Sequence, residues 1–270
     1  MNVCVIMVNY NNSQLSCNCC DSLLKQKQYA DMTIIVVDNN SRKEEQDILK
    51  SYLQGKEQLE GLYIDDNIGY FPAMAKGQEL AYSKGINYDY MIVANNDLIY
   101  ESNFMEVLSK QKFEKSVMVV SPDIIRMDGI HQNPHFIHRI SPMRKFLYRF
   151  YYSNWYVALA LTYIQRMFNM KRMENNKPGF EKSQYIYMGF GACFILTKQY
   201  MQAIGYLDTT TFLMGEEQFL TIQVEKKNGR IYYDSSLKVH HMDSATFKQM
   251  PSRFGYEWGR KSYNIYKKDL

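Results

Sequence analysis

The chain has no run near the roughly 18 consecutive apolar residues that a membrane-spanning helix needs. Its most apolar stretch of that kind, WYVALALTYI at residues 155–164, has ten. The start, MNVCVIMVNYNN, carries no basic stretch ahead of an apolar run of about six residues, so it reads as a buried strand and not as a signal peptide. Cysteine is sparse and odd in number, five in 270 residues, which fits free thiols in a reducing cytosol. Cys17-x-x-Cys20 has no second pair, which argues against zinc. No Walker A sequence occurs, and Gly189-x-Gly191 lacks the third glycine of a dinucleotide fingerprint. There is no internal repeat and no low-complexity linker. Neither sign of charge dominates: 32 Lys plus Arg stand against 28 Asp plus Glu. With that balance and no RNA-binding motif, nucleic acid is not expected as a partner.

What is present is ordinary globular composition with a surplus of aromatic residues. Hydrophobic residues make up 46% and charged residues 22%, which excludes a largely disordered chain. The surplus lies in 23 Tyr and 14 Phe, and it fits a binding surface, an interfacial patch or plain core.

The first 125 residues alternate strand-like and helix-like segments. Strands are expected at residues 3–8, 33–37, 62–64, 90–94 and 117–121. Helices are expected at 17–26, 43–54, 72–83 and 102–110, with Pro72 suited to a first turn. This alternation implies βαβ units and a mostly parallel sheet flanked by helices, an α/β fold. A polar cluster follows each of the first four strands: Asn9-Tyr10-Asn11, Asp38-Asn39-Asn40, Asp66-Asn67 and Asn95-Asn96-Asp97. Such residues also cap helices and make turns. Four clusters on one sheet edge point instead to a polar ligand site beyond the strand ends.

Residues 129–173 differ in kind. They contain no Asp or Glu but seven cations, Arg139, Arg144, Lys145, Arg149, Arg166, Lys171 and Arg172. Aromatics interleave with them, among them Phe146, Phe150, Trp155 and Tyr163. The pattern suits an interfacial helix or helical hairpin on an anionic membrane surface, with a core-packed helix pair as the alternative. The histidines at 131, 135 and 138 are broken by Pro134 and read as loop residues. Further on, residues 185–197 are glycine-bearing and then strand-like. A helix opens at Glu216-Glu217, with Gly229 as its stop. A strand at 230–233 precedes His240-His241, and residues 251–267 read as an amphipathic helix. The simplest parse is one domain over 1–270 with an inserted basic-aromatic segment at about 129–180.

VIMVNYNN, TIIVVDNNS, DDNIGYFPAMAKG, YMIVANND, GFGACFILT and GEEQFLTIQVEKKNGRIYY with VHH beyond resemble, in that order, the family 2 glycosyltransferases. The likeness is to bacterial rhamnosyl- and galactosyltransferases of surface polysaccharide assembly. It implies a GT-A-like mixed, mostly parallel sheet and a nucleotide-sugar donor, UDP- or dTDP-linked. Asp97 would be a ligand of Mg²⁺ or Mn²⁺, although Asn95 stands where the family's first acid would be. Asn95 or Asn96 would face ribose and phosphate. Asp38 would meet the base, with Asn9 and Tyr10 lining the same pocket and Asn67 and Gly69 in the donor-side loop. A carboxylate is needed to take the acceptor hydroxyl's proton, and the resemblance favours Glu217 over Glu216. His241, with His240 second, would close the metal site.

The function expected is thus inverting transfer to a lipid-linked glycan, in capsule, O-antigen or similar assembly. The protein would be cytoplasmic and peripheral on the inner face of the plasma membrane. The alternative is a non-catalytic sugar-nucleotide-binding or scaffold subunit, motivated by Asn95. A nucleotidyltransferase would carry a glycine-rich basic loop after the first strand, and NYNNSQLS has neither Gly nor Lys.

Overall fold

A computed structural model describes residues 1–26, 28–169, 176–242 and 252–270. Lys171, Arg172, the side chain of Arg166 and the expected helix start at Pro251 lie outside the described residues. A nine-stranded mixed sheet organises the chain. Its parallel half is β3 (Leu59–Ile64), β2 (Asp31–Asn39), β1 (Asn2–Asn9) and β4 (Tyr90–Asn95), side by side in that order. Beyond β4 the order continues through β8 (Cys193–Thr197), β6 (Val117–Arg126), β9 (Arg230–His241) and β5 (Leu98–Tyr100). In this half only β6 and β9 are parallel; β8 is antiparallel to β4 and β6, and β5 and β7 (Gln184–Ile186) are antiparallel to β9.

The central strands are near-continuous apolar runs because both of their faces are covered. Alternation sends Val3, Val5, Met7, Ile34 and Val36 into one core, under α1 (Ser13–Leu24), α2 (Lys43–Leu53) and α4 (Phe104–Lys110). Cys4, Ile6, Val8, Ile35 and Val37 enter the other, under α3 (Tyr70–Ser83), α7 (Lys198–Ala203) and α8 (Glu216–Lys226). Each fully buried Ile of this kind contributes roughly 1.5–3 kcal/mol. All five cysteines are free and buried.

After β6 the chain forms α5 (Pro142–Tyr151) and α6 (Trp155–Asn169). Pro at the first position of α5 and the Ser141 hydroxyl, accepting from the Arg144 amide, start the first of these. Part of the tyrosine surplus finds its place here. Tyr148 of α5 and Tyr152 just past its end pack on Tyr263 and Tyr266 of α9 (Arg253–Tyr266), with Phe219 and Ile222 of α8 beneath. The Tyr152 and Tyr263 rings stack at 4.7 Å. Among the described residues, no helix is long and apolar enough to cross a membrane.

Candidate active site

The ends of β1 and β2 meet in a closed polar network. Asn9 and Asp38 are both 0% exposed. Asn9 Nδ2 donates to Asp38 Oδ1 at 2.8 Å and to the Ser13 and Ser41 hydroxyls at 3.1 and 3.2 Å. Asn9 Oδ1 accepts from the Ser16 hydroxyl at 2.8 Å. Asp38 Oδ2 accepts from the Ser41 amide and from Gln46 Nε2, each at 3.0 Å. Three of a carboxylate's roughly four lone-pair positions are therefore used. Asn9 and Asp38 form the floor of this sheet edge, and Tyr10 stands at its rim, 48% exposed.

The next loop is held from below by Asn39, a residue whose role sequence reasoning left unassigned. Its Nδ2 donates to Asn67 Oδ1 at 2.9 Å and to the Gly69 carbonyl at 3.1 Å, and its Oδ1 accepts from the Ile68 amide at 3.0 Å. Gly69 has φ +98°, and a Cβ there would lie 2.2 Å from the Phe212 carbonyl oxygen. Only glycine fits both conditions. Tyr70 N–H then donates to that same carbonyl at 2.9 Å. This contact docks the loop after β3 onto the segment that leads into Glu216 and Glu217.

Asn95, Asn96 and Asp97 follow β4 and separate in role. The Tyr70 hydroxyl donates to Asn95 Oδ1. Asn96 Nδ2 donates to the Ser16 hydroxyl at 2.8 Å, joining the Asn9 network. Asp97 Oδ1 is buried and accepts no hydrogen bond. His241 Nε2 lies 3.3 Å from it. His241 Nδ1 is 2.7 Å from Gln132 Oε1, a contact that holds the ring in place. Nε2 and Asp97 Oδ1 thus face each other, a nitrogen and an oxygen of the kinds that ligate divalent cations. His240 points elsewhere and pairs with Glu101 at 3.3 Å.

The acid pair opens α8. Glu216 Oε1 folds back to accept from the Met214 amide at 2.9 Å. Glu217 Oε1 reaches across to the Gly191 amide at 3.2 Å, at the turn before β8. A Cβ at residue 191 would sit 2.5 Å from that oxygen, so the glycine makes room for the carboxylate. Burial, then the neighbouring Glu217, pushes Glu216 up to about 7, and burial raises Glu217 as well. Tyr70 lies among these groups: burial first, then the charges of Glu216 and Asp97, hold its phenol well above the ordinary range. Tyr70 thus lies near both Asp97 and the acid pair. Tyr70, Gln132 and Gly191 were missed as site residues. Tyr70 stood in the DDNIGYFPAMAKG motif and Gly191 in the GFG turn before a strand; Gln132 gave no sequence signal.

The comparisons agree with this architecture. The sequence matches Glycosyl transferase family 2 over residues 4–175, more than half of the chain. S. aureus TarS residues 1–349 are similar in structure, with a TM-score of 0.58 at 15% identity over 90% of this chain and 60% of that one. A crystal structure of GalNAc-T7 with UDP, GalNAc and Mn²⁺ has a TM-score of 0.64 at 13% identity, over 100% of this chain and 48% of that one. The chain therefore spans less than two-thirds of either neighbour's length, and at these identities the likeness is one of fold. No curated protein sequence matches significantly. The chain belongs to glycosyl transferase family 2, and its mixed α/β sheet has the GT-A fold.

Proposed function

We propose that the protein is an inverting glycosyltransferase. It takes a sugar from a UDP- or dTDP-linked donor and passes it to a lipid-linked glycan in bacterial surface polysaccharide assembly, such as capsule or O-antigen. The observation that carries this reading is the buried Asp97 Oδ1, which accepts no hydrogen bond and faces His241 Nε2 at 3.3 Å. These residues fit a divalent cation, Mg²⁺ or Mn²⁺. Among the described residues no cluster of three or more His, Cys, Asp or Glu could hold a metal, so the protein would supply two ligands. Sites that complete their shell with substrate phosphates and water work in this way. When bound, the ion would screen the negative charge that builds on the departing diphosphate. Gln132 would orient His241 from behind, as outer-shell partners do.

The chain's own residues would do the rest. Asn9 and Asp38 fix the floor on which the nucleotide lies, and Tyr10 covers its rim. Asn67 and Gly69 hold the donor-side loop in register with the segment before α8. Asn95 and Asn96 carry the polar edge beside the phosphates. The acceptor hydroxyl oxygen attacks the anomeric carbon, the bond from that carbon to the diphosphate oxygen breaks, and the hydroxyl proton passes to Glu217. Glu217 is favoured because its carboxylate reaches across to the Gly191 turn before β8, whereas Glu216 is folded back on its own loop. Burial raises Glu217, which suits a base working near neutral pH.

The reading takes residues 1–270 as one domain that works at the inner face of the plasma membrane. In support, α5 buries none of its residues. Its Met143, Phe146, Leu147 and Phe150 form an exposed stripe at i, i+3, i+4 and i+7. A groove between α5 and α9 is lined by Lys145, Arg149, Arg260 and Lys267. Such a face suits an anionic lipid surface.

The test is release of free nucleotide from UDP- and dTDP-sugars in the presence of candidate acceptors, for the wild type, Glu217→Gln and Glu216→Gln. The reading expects acceptor-dependent release that Glu217→Gln abolishes. Equal activity in wild type and Glu217→Gln would overturn the assignment of the base.

A further inference from the structure

Lys177 is half-buried in the segment that leads to β7, and no carboxylate pairs with it among the described residues. Its Nζ donates to the Gln132 carbonyl at 3.2 Å and meets His135 Nδ1 at 3.1 Å. An ammonium group has three protons, so one remains to donate. His135 Nδ1 accepts from Lys177, which leaves the proton of the neutral ring on Nε2. Burial, then Lys177 and Arg144, holds His135 down to about 3, so the ring stays a neutral donor at working pH. Arg144, in the first turn of α5, lays its guanidinium over the Phe136 ring at 4.4 Å and makes no ion pair among the described residues. After burial, it is Arg144 that lowers Lys177, to about 8.

Two cations thus lie near one another, one partly desolvated, with no carboxylate paired to either among the described residues. Elsewhere the chain pairs even exposed cations, as in Arg139 with Glu225 and Lys110 with Glu106. Buried charge is unfavourable unless it is paired. An anion would settle the cluster, and three segments of the chain supply donors near it: the Lys177 ammonium, the Arg144 guanidinium and His135 Nε2.

The location narrows what the anion is. Gln132 offers its carbonyl to Lys177 and its side chain to His241, so one glutamine separates the cluster from the Asp97–His241 site. The His135 ring lies 5.7 Å from Phe190, whose ring is 6.2 Å from His241. These residues come from the loops after β6 and before β8, beyond β4 from the Asn9–Asp38 floor. We infer that Lys177, Arg144 and His135 form an acceptor-side subsite for a phosphate ester, with Phe190 as the apolar wall between it and the reaction centre. The inference rests on the transferase reading and adds the acceptor's chemical class, a glycosyl unit carried on a phosphate or diphosphate.

The test is calorimetric titration of the full chain, saturated with UDP and Mg²⁺, with farnesyl phosphate, farnesol and inorganic phosphate. The proteins are the wild type, Lys177→Ala, Arg144→Ala, the double alanine variant and Lys177→Arg. Farnesyl phosphate is expected to bind, and each alanine substitution to weaken it about tenfold, the loss of about 1.4 kcal/mol that one charge-assisted bond supplies. Lys177→Arg should keep most of the affinity, and inorganic phosphate should compete. Any farnesol binding, through the apolar stripe of α5, should ignore these substitutions. Equal binding of farnesyl phosphate to wild type and double variant overturns the inference. So does a matching loss of UDP affinity in Lys177→Ala, which would give the cluster to the donor's diphosphate. Unaltered UDP affinity also shows that the variants are folded. Absence of UDP binding in the wild type would count instead against the transferase reading.

Discussion

The two halves of the crevice handle their polar groups in opposite ways. Around Asn9 and Asp38, most of the polar atoms find a partner inside the protein, and both side chains are sealed from water. Across β4, Asp97 Oδ1 accepts no hydrogen bond, Lys177 has no paired carboxylate among the described residues, and α5 turns an apolar stripe outward. A satisfied network fixes shape before anything binds. Unmet acceptors, unpaired cations and exposed aromatics mark places whose partners come from outside the chain. The first half is a preformed mould; the second is a set of open contacts that the proposed reading gives to donor, acceptor and membrane.

The largest effect that would sharpen this contrast is on the chemical step. Glu217→Gln should cut turnover by about 10²- to 10⁴-fold while nucleotide affinity holds, read as nucleotide release against calorimetric binding. Gly191→Ala should cost less, about tenfold or more in turnover with an unchanged melting temperature. Its Cβ at 2.5 Å displaces only the Glu217 side-chain end.

The acid pair also leaves a mark on stability. Glu216 is raised from its ordinary 4.5 to about 7. Below 4.5 it is neutral folded or unfolded. Between those pH values the unfolded chain sheds the proton and the folded one keeps it, so stability falls as pH rises. Glu216→Gln should therefore stabilise the protein at pH 8, by at most roughly 3 kcal/mol, and not at pH 4. Urea midpoints at the two pH values measure this. A gain of equal size at both would break the link to burial. In turnover, the raised Glu217 predicts an acid limb on which activity falls at higher pH than an ordinary carboxylate would give.

The mould half should be sensitive where the contact half is not. Asn9→Ala strips partners from buried Asp38, Ser13 and Ser41 and should cost about 1–3 kcal/mol. Phe146→Ser with Phe150→Ser should change folding stability by less than about 0.5 kcal/mol. It should instead weaken co-sedimentation with anionic vesicles, more so in high salt. A large stability loss from the second pair would mean that α5 packs on protein and not on lipid.

Much of the mould half was legible in the sequence, because β1, β2 and β4 are apolar runs ending in Asn or Asp. Three-residue strands such as β5 and β7 are too short for periodicity to register. β9 was expected to stop at residue 233, where Asp234-Ser235-Ser236 interrupts the pattern. Buried Leu237 and Val239 carry it on to His241. Within that strand, alternation sends His240 and His241 to opposite faces, which decides which one meets Asp97. The partner of His241 could not be read, since Gln132 lies 109 residues away and its loop carries no motif. Lys177 had no signal at all, because its meaning depends on which charges are missing around it in space.

The most direct test of the central claim is calorimetric binding of UDP, dTDP and GDP, with and without Mn²⁺, to the wild type, Asp97→Ala and His241→Ala. The account predicts that UDP or dTDP binds in a metal-dependent manner and that either substitution abolishes the metal dependence. A wild type that binds none of the three with or without Mn²⁺ would contradict it and favour a scaffold role.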